Sequence, residues 1–169
     1  MKETGVIRRI DELGRIVIPK EVRKKLKIRN GDSIDIYIDQ EKIVLEKYSA
    51  LKDLDTIIKV LLETLKKVYN AKIVITDMSK IIATTINQVA IHDNITEEYI
   101  TIIEKMQTQD LNQTNIKLND SYTIDTYSKI KPIIIYGDLF GSILIMDCNN
   151  KSVELLDVIN SFISDYLES

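Results

Sequence analysis

The segment from Val6 to Lys27 constrains the fold most, because two of its residues determine where a turn and a helix begin. Gly14 can adopt a positive φ, which predicts a turn after a β-branched run. Pro19 sets φ for a helix start, and the first helical position needs no backbone N–H. The sequence therefore predicts four elements in order: a strand Val6–Ile10, a turn Asp11–Gly14, a strand Arg15–Ile18 and a short helix Lys20–Lys27.

The same part of the chain carries a strong positive charge. From Arg8 to Arg29 there are nine basic and three acidic residues, a net charge of +6. The whole chain of 169 residues has a net charge of −3, so the remainder carries −9. A basic island in an acidic chain is typical of a nucleic-acid contact, although charge alone also fits a solvated helix face.

Residues 1–50 are predicted to form one small module. Ile34, Ile36 and Ile38 alternate with polar residues, which predicts a strand with these three side chains facing inward. Val22 and Leu26 lie one helical turn apart and are expected to face the same core. A turn containing Gly31 precedes this strand, and another turn returns the chain along a final strand. A module of this size buries little surface alone, so oligomerisation is the expected way to complete its core.

These residues together resemble a known family. The motif residues are Leu13-Gly14-Arg15-Ile16-Val17-Ile18-Pro19, Glu21-Val22-Arg23, Leu26-Lys27-Ile28 and Gly31-Asp32. With this pattern, residues 1–50 are similar to the AbrB-type DNA-binding domain of the SpoVT/AbrB family, the swapped-hairpin fold of bacterial transition-state regulators. The resemblance implies that two chains interleave their hairpins into one dimeric β-barrel. It also implies double-stranded DNA as a partner, recognised largely by shape.

The resemblance also implies which residues contact DNA: Arg8, Arg15 and Arg23, with support from Arg9 and Lys24. Position 24 is often Arg in relatives. Lysine keeps the charge but lacks the planar fork needed for bidentate contacts. The segment is rich in Arg and poor in Asn and Gln, which agrees with recognition by DNA shape.

A helix is predicted to follow the module. Leucine, isoleucine and a final valine recur at spacings of three and four between positions 51 and 68, which predicts one amphipathic helix of about eighteen residues. We interpret residues 51–69 as a connecting helix between the DNA-binding domain, 1–50, and a C-terminal domain, 70–169. Its apolar stripe is wide enough to pack on that domain and on a partner helix. Whether it also couples the two domains in signalling stays open.

Residues 70–169 show a mixed pattern of helices and strands. The predicted elements are strands Lys72–Thr76 and Ile81–Thr85, helix Thr96–Gln107 with Asn94 as its cap, a polar loop Thr108–Asp120, a strand Tyr122–Tyr127, a buried hairpin Ile130–Tyr136 and Phe140–Met146 with a turn at Gly137-Asp138, and helix Lys151–Leu167. This order predicts an α+β arrangement and resembles a GAF domain, an α/β sensor fold. The overall fold class is therefore α+β, a swapped-hairpin module followed by a GAF-like domain.

The GAF resemblance implies a pocket between the sheet and the helices over it. Tyr122, Tyr127 and Asp125 are candidates for its wall, where an unknown small molecule would bind; plain core packing is the alternative. The first and last helices of GAF domains commonly pack against those of a neighbour. We therefore expect the helices at 51–68 and 151–167 to join two dimers into a homotetramer.

The sequence predicts neither catalysis nor a cofactor or metal. His92, the one histidine, has no Cys or carboxylate at metal-ligand spacing, and Cys148 has no histidine close in sequence. The five glycines are scattered and form no phosphate-binding loop. A single cysteine excludes an internal disulfide, and no apolar run predicts a signal peptide or a membrane span, so we expect a cytoplasmic protein with no membrane partner.

The leading hypothesis is a DNA-binding transcriptional regulator of sporulation genes, with a C-terminal domain for sensing or assembly. Two alternatives stay open. One is an AbrB-fold antitoxin of a toxin–antitoxin pair, although such antitoxins usually end in a short, acidic, disordered tail. The other is a metabolite-binding module whose basic face is incidental.

Overall fold

The computed structural model describes residues 5–26, 28, 30, 32–112, 115–148 and 150–168. The chain forms two compact units, Met1–Tyr48 and Ser49–Ser169. Both units contain helices and strands, so the predicted α+β class is confirmed. Within the described ranges, no helix has the length and apolar character that crossing a membrane requires.

The N-terminal unit contains a short helix and a β-hairpin. Helix α1 spans Lys20–Lys25: it begins directly after Pro19, as predicted, but ends two residues before the predicted Lys27. Strands β1 (Ile34–Asp39) and β2 (Lys42–Lys47) pair antiparallel, and Gln40 has a φ of 54° in the turn between them. The predicted helix end at Lys27 and Gly31 of the predicted turn lie outside the described residues.

Two predicted strands, Val6–Ile10 and Arg15–Ile18, do not form in the described part of the chain. The backbone hydrogen bonds here belong to the turn: Asp11 N–H donates to the Arg15 carbonyl at 3.0 Å, and Gly14 N–H donates to the Asp11 carbonyl at 2.9 Å. A strand requires a ladder of hydrogen bonds to a neighbouring strand, which this segment does not receive from the described residues. Strands β1 and β2 likewise form an open two-stranded sheet and not a closed barrel.

The inward orientation predicted for several apolar residues of this unit is wrong for the single chain. Ile36 is 64% exposed, Ile38 79% and Leu26 50%, whereas Val22 and Ile34 are half-buried. One short helix and one hairpin offer too little surface to cover both faces of the sheet. Further large apolar side chains of the unit are also exposed: Val6, Ile7, Ile10, Leu13, Ile16, Val17 and Ile43.

The C-terminal unit is built around a five-stranded antiparallel sheet of order β4-β3-β9-β8-β5. A pair of two-residue strands, β6 and β7, forms a separate small sheet. The elements, in chain order, are α2 (Ala50–Asp53), α3 (Asp55–Tyr69), β3 (Lys72–Asp77), β4 (Ile81–Thr84), α4 (Glu97–Ile103), β5 (Gln109–Leu111), β6 (Ile116–Lys117), β7 (Thr123–Ile124), β8 (Ser128–Ile135), β9 (Asp138–Met146) and α5 (Asn150–Leu167).

Two hydrophobic cores cover the two faces of the large sheet. Ile73 and Ile75 of β3 pack in one core with buried leucines and isoleucines of α3 and α5. Val74, between them in sequence, packs in the other core with Tyr99 and Ile103 of α4. This alternation follows from the two-residue period of a strand. The sheet therefore lies between a layer formed by the two long helices α3 and α5 and a layer formed by α4 and the β6–β7 pair.

The connecting helix predicted at 51–68 is divided in two. Leu54 ends the first part and has φ −90° and ψ −1°. The Leu54 N–H donates to the carbonyl of Leu51, three residues earlier, whereas an α-helical hydrogen bond spans four residues. Both leucines are buried in the core. Tertiary packing of these side chains thus overrides the continuous helical pattern. Helix α3 ends at Asn70, whose left-handed φ of 50° is typical of a residue just beyond a helix C-terminus.

The middle of the unit differs most from prediction. Helix α4 is capped by Thr96 and not by Asn94, because the Thr96 hydroxyl accepts a hydrogen bond from Tyr99 N–H at 3.1 Å. It ends at Ile103, before the predicted Gln107. The predicted polar loop contains β5 and β6, and the predicted strand at 122–127 is reduced to the two residues of β7. Strand β5 forms by pairing with β8, and β6 forms by pairing with β7 next to the buried Leu118. The residue pattern of one segment does not reveal such contacts with another segment.

The other strands and the last helix predicted for the C-terminal unit are confirmed. Strands β3 and β4, the hairpin β8–β9 and helix α5 form within a few residues of their predicted bounds. The hairpin turn lies at Tyr136 and Gly137, which have φ values of 51° and 88°. Two successive positive φ values are typical of a type I′ turn, whose backbone twist matches that of the two strands it joins. The turn is therefore one residue earlier than predicted.

Candidate nucleic-acid interface

The Asp11 carboxylate holds the turn that separates the basic residues of the N-terminal segment. Asp11 Oδ1 accepts hydrogen bonds from Leu13 N–H at 3.0 Å and from Arg15 N–H at 2.8 Å. Asp11 Oδ2 accepts from Arg15 Nε at 2.8 Å. The backbone N–H of Arg15, followed by its side chain, lowers the pKa of the Asp11 carboxyl below its ordinary value. Gly14 completes the turn with a φ of 75°, a conformation that most other residues adopt only with strain.

Three of the predicted DNA-contacting residues flank this turn. Arg8 and Arg9 lie before it and Arg15 follows it, and all three are exposed. The Arg15 side chain keeps 72% of its surface accessible despite its ion pair with Asp11. Arg8 Nη1 donates to the Ile7 carbonyl at 3.3 Å. The turn therefore presents its cations to solvent, where a phosphate backbone could reach them.

The other two predicted residues lie on α1. Lys24 is exposed, whereas Arg23 is half-buried and donates from Nη1 to Asn30 Oδ1 at 3.0 Å. Arg23 Nε is buried and has no hydrogen-bond partner among the described residues. Lys20, Arg23 and Lys24 line a surface depression with Ile28 and Asn30. The depression therefore combines cationic donors with an amide.

Sequence reasoning missed two residues of this depression. Lys20 was part of the basic island, but charge alone did not separate it from the other lysines. Asn30 lies seven residues after Arg23, and only the fold brings their side chains together. The interface thus has two described groups: a turn group of Arg8, Arg9 and Arg15, and a helix group of Lys20, Arg23, Lys24 and Asn30.

The candidate pocket residues of the C-terminal unit have other contacts. The Tyr127 hydroxyl donates to Asp110 Oδ1 at 2.9 Å, and Lys129 Nζ lies 3.0 Å from the same oxygen. Lys129, followed by Tyr127, lowers the pKa of the Asp110 carboxyl. Tyr122 is half-buried and its hydroxyl donates to Met146 Sδ at 3.8 Å, while Asp125 is exposed. Tyr127 therefore belongs to a surface ion-pair cluster with Asp110 and Lys129.

His92 and Cys148 lie in different environments. His92 is exposed and has a left-handed φ of 70°. Cys148 is half-buried, and its Sγ donates to the Ile145 carbonyl at 3.1 Å. Burial raises the pKa of the Cys148 thiol, which disfavours the reactive thiolate. Among the described residues, no three His, Cys, Asp or Glu side chains are grouped to hold a metal ion.

Comparison with protein families divides the chain into two parts that meet at residue 53. Residues 7–53 match the model for the antidote-toxin recognition domain of MazE, a bacterial antitoxin. Residues 53–167 match the C-terminal domain of stage V sporulation protein T, described as a transcription factor. The second match covers more than half of the chain and favours a transcription regulator over the antitoxin alternative.

Individual relatives agree with this division. Stage V sporulation protein T of Bacillus subtilis is 31% identical over 152 residues, which cover 86% of this chain and 84% of that protein. The solved N-terminal DNA recognition domain of the Bacillus subtilis transition-state regulator AbrB is 55% identical and covers 29% of this chain and 92% of its own, with a TM-score of 0.25. The cofactor-binding GAF domain of the nutrient sensor CodY from Clostridium difficile is 11% identical, with coverages of 86% and 92% and a TM-score of 0.45.

An AbrB-type module followed by this C-terminal domain defines a class of two-domain transcription regulators. Both TM-scores are below 0.5, so the assignment rests on the sequence matches. The chain belongs to the stage V sporulation protein T family.

Proposed function

We propose that this protein is a non-catalytic transcriptional regulator that binds double-stranded DNA as an interleaved dimer. The DNA-binding residues are Arg8, Arg9, Arg15, Arg23 and Lys24. The observation that carries the proposal is the exposure of Arg8, Arg9, Arg15 and Lys24, with Arg23 half-buried beside them on the helix, in a module 55% identical to the AbrB DNA recognition domain. Sporulation genes are the proposed targets, because the two-domain relative is a sporulation protein. A DNA target also implies a cytoplasmic location.

The exposed apolar residues of the N-terminal unit support the dimer. The basic segment, defined as residues 6–29, carries Ile7, Ile10 and Ile16, which are between 50% and 89% exposed. Monomeric soluble proteins rarely expose so many neighbouring apolar side chains, and such a surface marks an interaction site. A second copy would bury these residues and supply the strand partners that the segments 6–10 and 15–18 require.

DNA binding as a function of salt tests the proposal. A dimer that contacts six to ten phosphates should lose about 10³–10⁵ in affinity between 50 and 200 mM salt. Arg15→Ala removes one cation per chain, so the slope of log affinity against log salt should shrink by about 1.8 for the dimer. Lys42→Ala is the matched control, because Lys42 is an exposed cation of β2 outside the basic segment. Salt-independent binding, or equal effects of the two variants, would contradict the proposal.

We further propose that the C-terminal unit assembles two dimers into a tetramer. Helix α5 exposes Val158, Phe162 and Tyr166 at spacings of four, which places them in one stripe along the helix. Helix α3 exposes Val60 and Val68. Since the opposite sides of both helices pack on the sheet, these stripes are available to helices of another copy.

Sedimentation of the full chain tests the assembly. Four chains of 19.4 kDa give about 78 kDa, and two give about 39 kDa. Phe162→Glu puts a charge in the stripe and should shift the mass towards the dimer at micromolar concentration. Ser161→Glu adds the same charge at an exposed neighbouring position outside the stripe and should leave the tetramer intact. A wild-type mass of only two chains would refute the tetramer without affecting the DNA-binding proposal.

A further inference from the structure

The contact between Asp11 and Arg15 uses only one side of the guanidinium group. Arg15 donates to Asp11 through Nε, and the hydrogen bond is 2.8 Å long. A guanidinium has five N–H donors; one Nη donor shares the edge of Nε, and the other three Nη donors lie on edges away from this contact. The end edge formed by Nη1 and Nη2 can make bidentate contacts with a phosphate, and Asp11 does not use it.

The carboxylate is itself fixed in place. Its other oxygen accepts the backbone N–H groups of Leu13 and Arg15, so Asp11 cannot turn away without breaking the turn. The long Arg15 side chain is thereby tied to the backbone that carries it, although most of its surface remains exposed. Ordering such a side chain before binding lowers the entropy lost when a ligand binds.

We propose that Asp11 is a positioning residue for DNA binding: it holds the Arg15 side chain on the turn with the two Nη groups facing the phosphate backbone. This inference rests on the proposed DNA-binding function. It has a counter-intuitive consequence, because Asp11 is an acidic residue inside a surface that binds a polyanion. Simple electrostatics predicts that Asp11 weakens binding, whereas positioning predicts that it strengthens binding.

The variant Asp11→Asn separates these two effects by sign. Asparagine keeps an oxygen that can accept the backbone N–H groups of the turn, but its neutral amide holds the guanidinium less strongly. Immobilising a long side chain changes affinity by about 2–10-fold, and two copies act in a dimer, so we expect roughly tenfold weaker DNA binding at fixed salt. Glu12→Gln is the matched control, because it removes the same charge from the adjacent, exposed position. It should leave affinity equal or slightly increased.

A double variant tests whether Asp11 acts through Arg15. If Asp11 positions Arg15, Asp11→Asn should not weaken binding further in an Arg15→Ala protein. If Asp11 only maintains the turn, it should weaken binding in both backgrounds, and the inference would be overturned. Tighter binding by both Asp11→Asn and Glu12→Gln would also overturn it, since charge removal alone would explain the result. Wild type that fails to bind DNA would refute the proposed function itself, a result distinguishable from either of these.

Discussion

The Ser142 hydroxyl is predicted to stabilise the C-terminal unit more than either hydroxyl that it contacts. Ser142 Oγ lies 3.0 Å from the Tyr99 hydroxyl and 2.9 Å from Thr76 Oγ1, and all three residues are fully buried. Tyr99→Phe removes one hydrogen bond but leaves Ser142 bonded to Thr76, so the free energy of unfolding should fall by about 1 kcal/mol. Ser142→Ala removes a partner from each of two buried hydroxyls; because Thr76 also lies beside the Tyr99 hydroxyl, these two retain each other as a partner, and the expected loss is about 2–3 kcal/mol.

Urea unfolding of the full chain, followed by circular dichroism, measures these free energies. Hydrogen exchange of peptides from β3 and β9 reports the C-terminal unit separately from the N-terminal one. Ser161→Ala on the exposed side of α5 is the control and should change stability by less than about 0.5 kcal/mol. The reasoning is refuted if Ser142→Ala costs no more than Tyr99→Phe, because the two remaining hydroxyls would then compensate fully for the lost partner.

Three further predictions concern the same unit. The Gly141→Ala side chain would overlap the Thr76 carbonyl oxygen across the sheet, so urea unfolding should show a loss of about 3 kcal/mol or more, whereas Gly5→Ala, with open space around it, should be neutral. Ile159→Ala opens a cavity in the core under α5 and should cost about 2–5 kcal/mol, measured against Ser161→Ala. Burial raises the pKa of Tyr99 above its ordinary 10.0, so the folded protein keeps a proton that the unfolded chain loses. Stability should therefore fall as pH rises above about 10, and less steeply in Tyr99→Phe; equal slopes would contradict this.

The sequence predicted elements whose own residues determine them. Helices α3 and α5 and the strands β3, β8 and β9 have long apolar patterns because one or both of their faces are buried. It did not predict the break at Leu54 or the short strands β5 to β7, which depend on packing and pairing with distant segments. Short-range patterns also placed the α4 cap two residues too early, since only the hydroxyl of Thr96 reaches the helix backbone.

The candidate interface shows the same limit. Charge and family resemblance predicted the arginines as DNA contacts, but not the side chains that hydrogen-bond to them. Asn30 accepts from Arg23 across seven positions, and Asp11 accepts from Arg15 only because the turn closes around Gly14. In the sequence alone, Asp11 was one of three acidic residues that reduce the charge of the island. Its structural contacts give it a role that residue counting cannot show.

DNA binding and dimer formation are expected to be coupled, because one short segment carries the residues for both. Arg8, Arg9 and Arg15 are close neighbours of Ile7, Ile10 and Ile16, and both sets are exposed in the single chain. Burying the isoleucines against a second chain would fix the backbone from which the arginines project. Substituting an arginine and substituting an isoleucine should nevertheless have different effects in a binding experiment. Loss of an arginine should reduce the salt dependence of binding, whereas loss of an isoleucine should make DNA affinity depend on protein concentration.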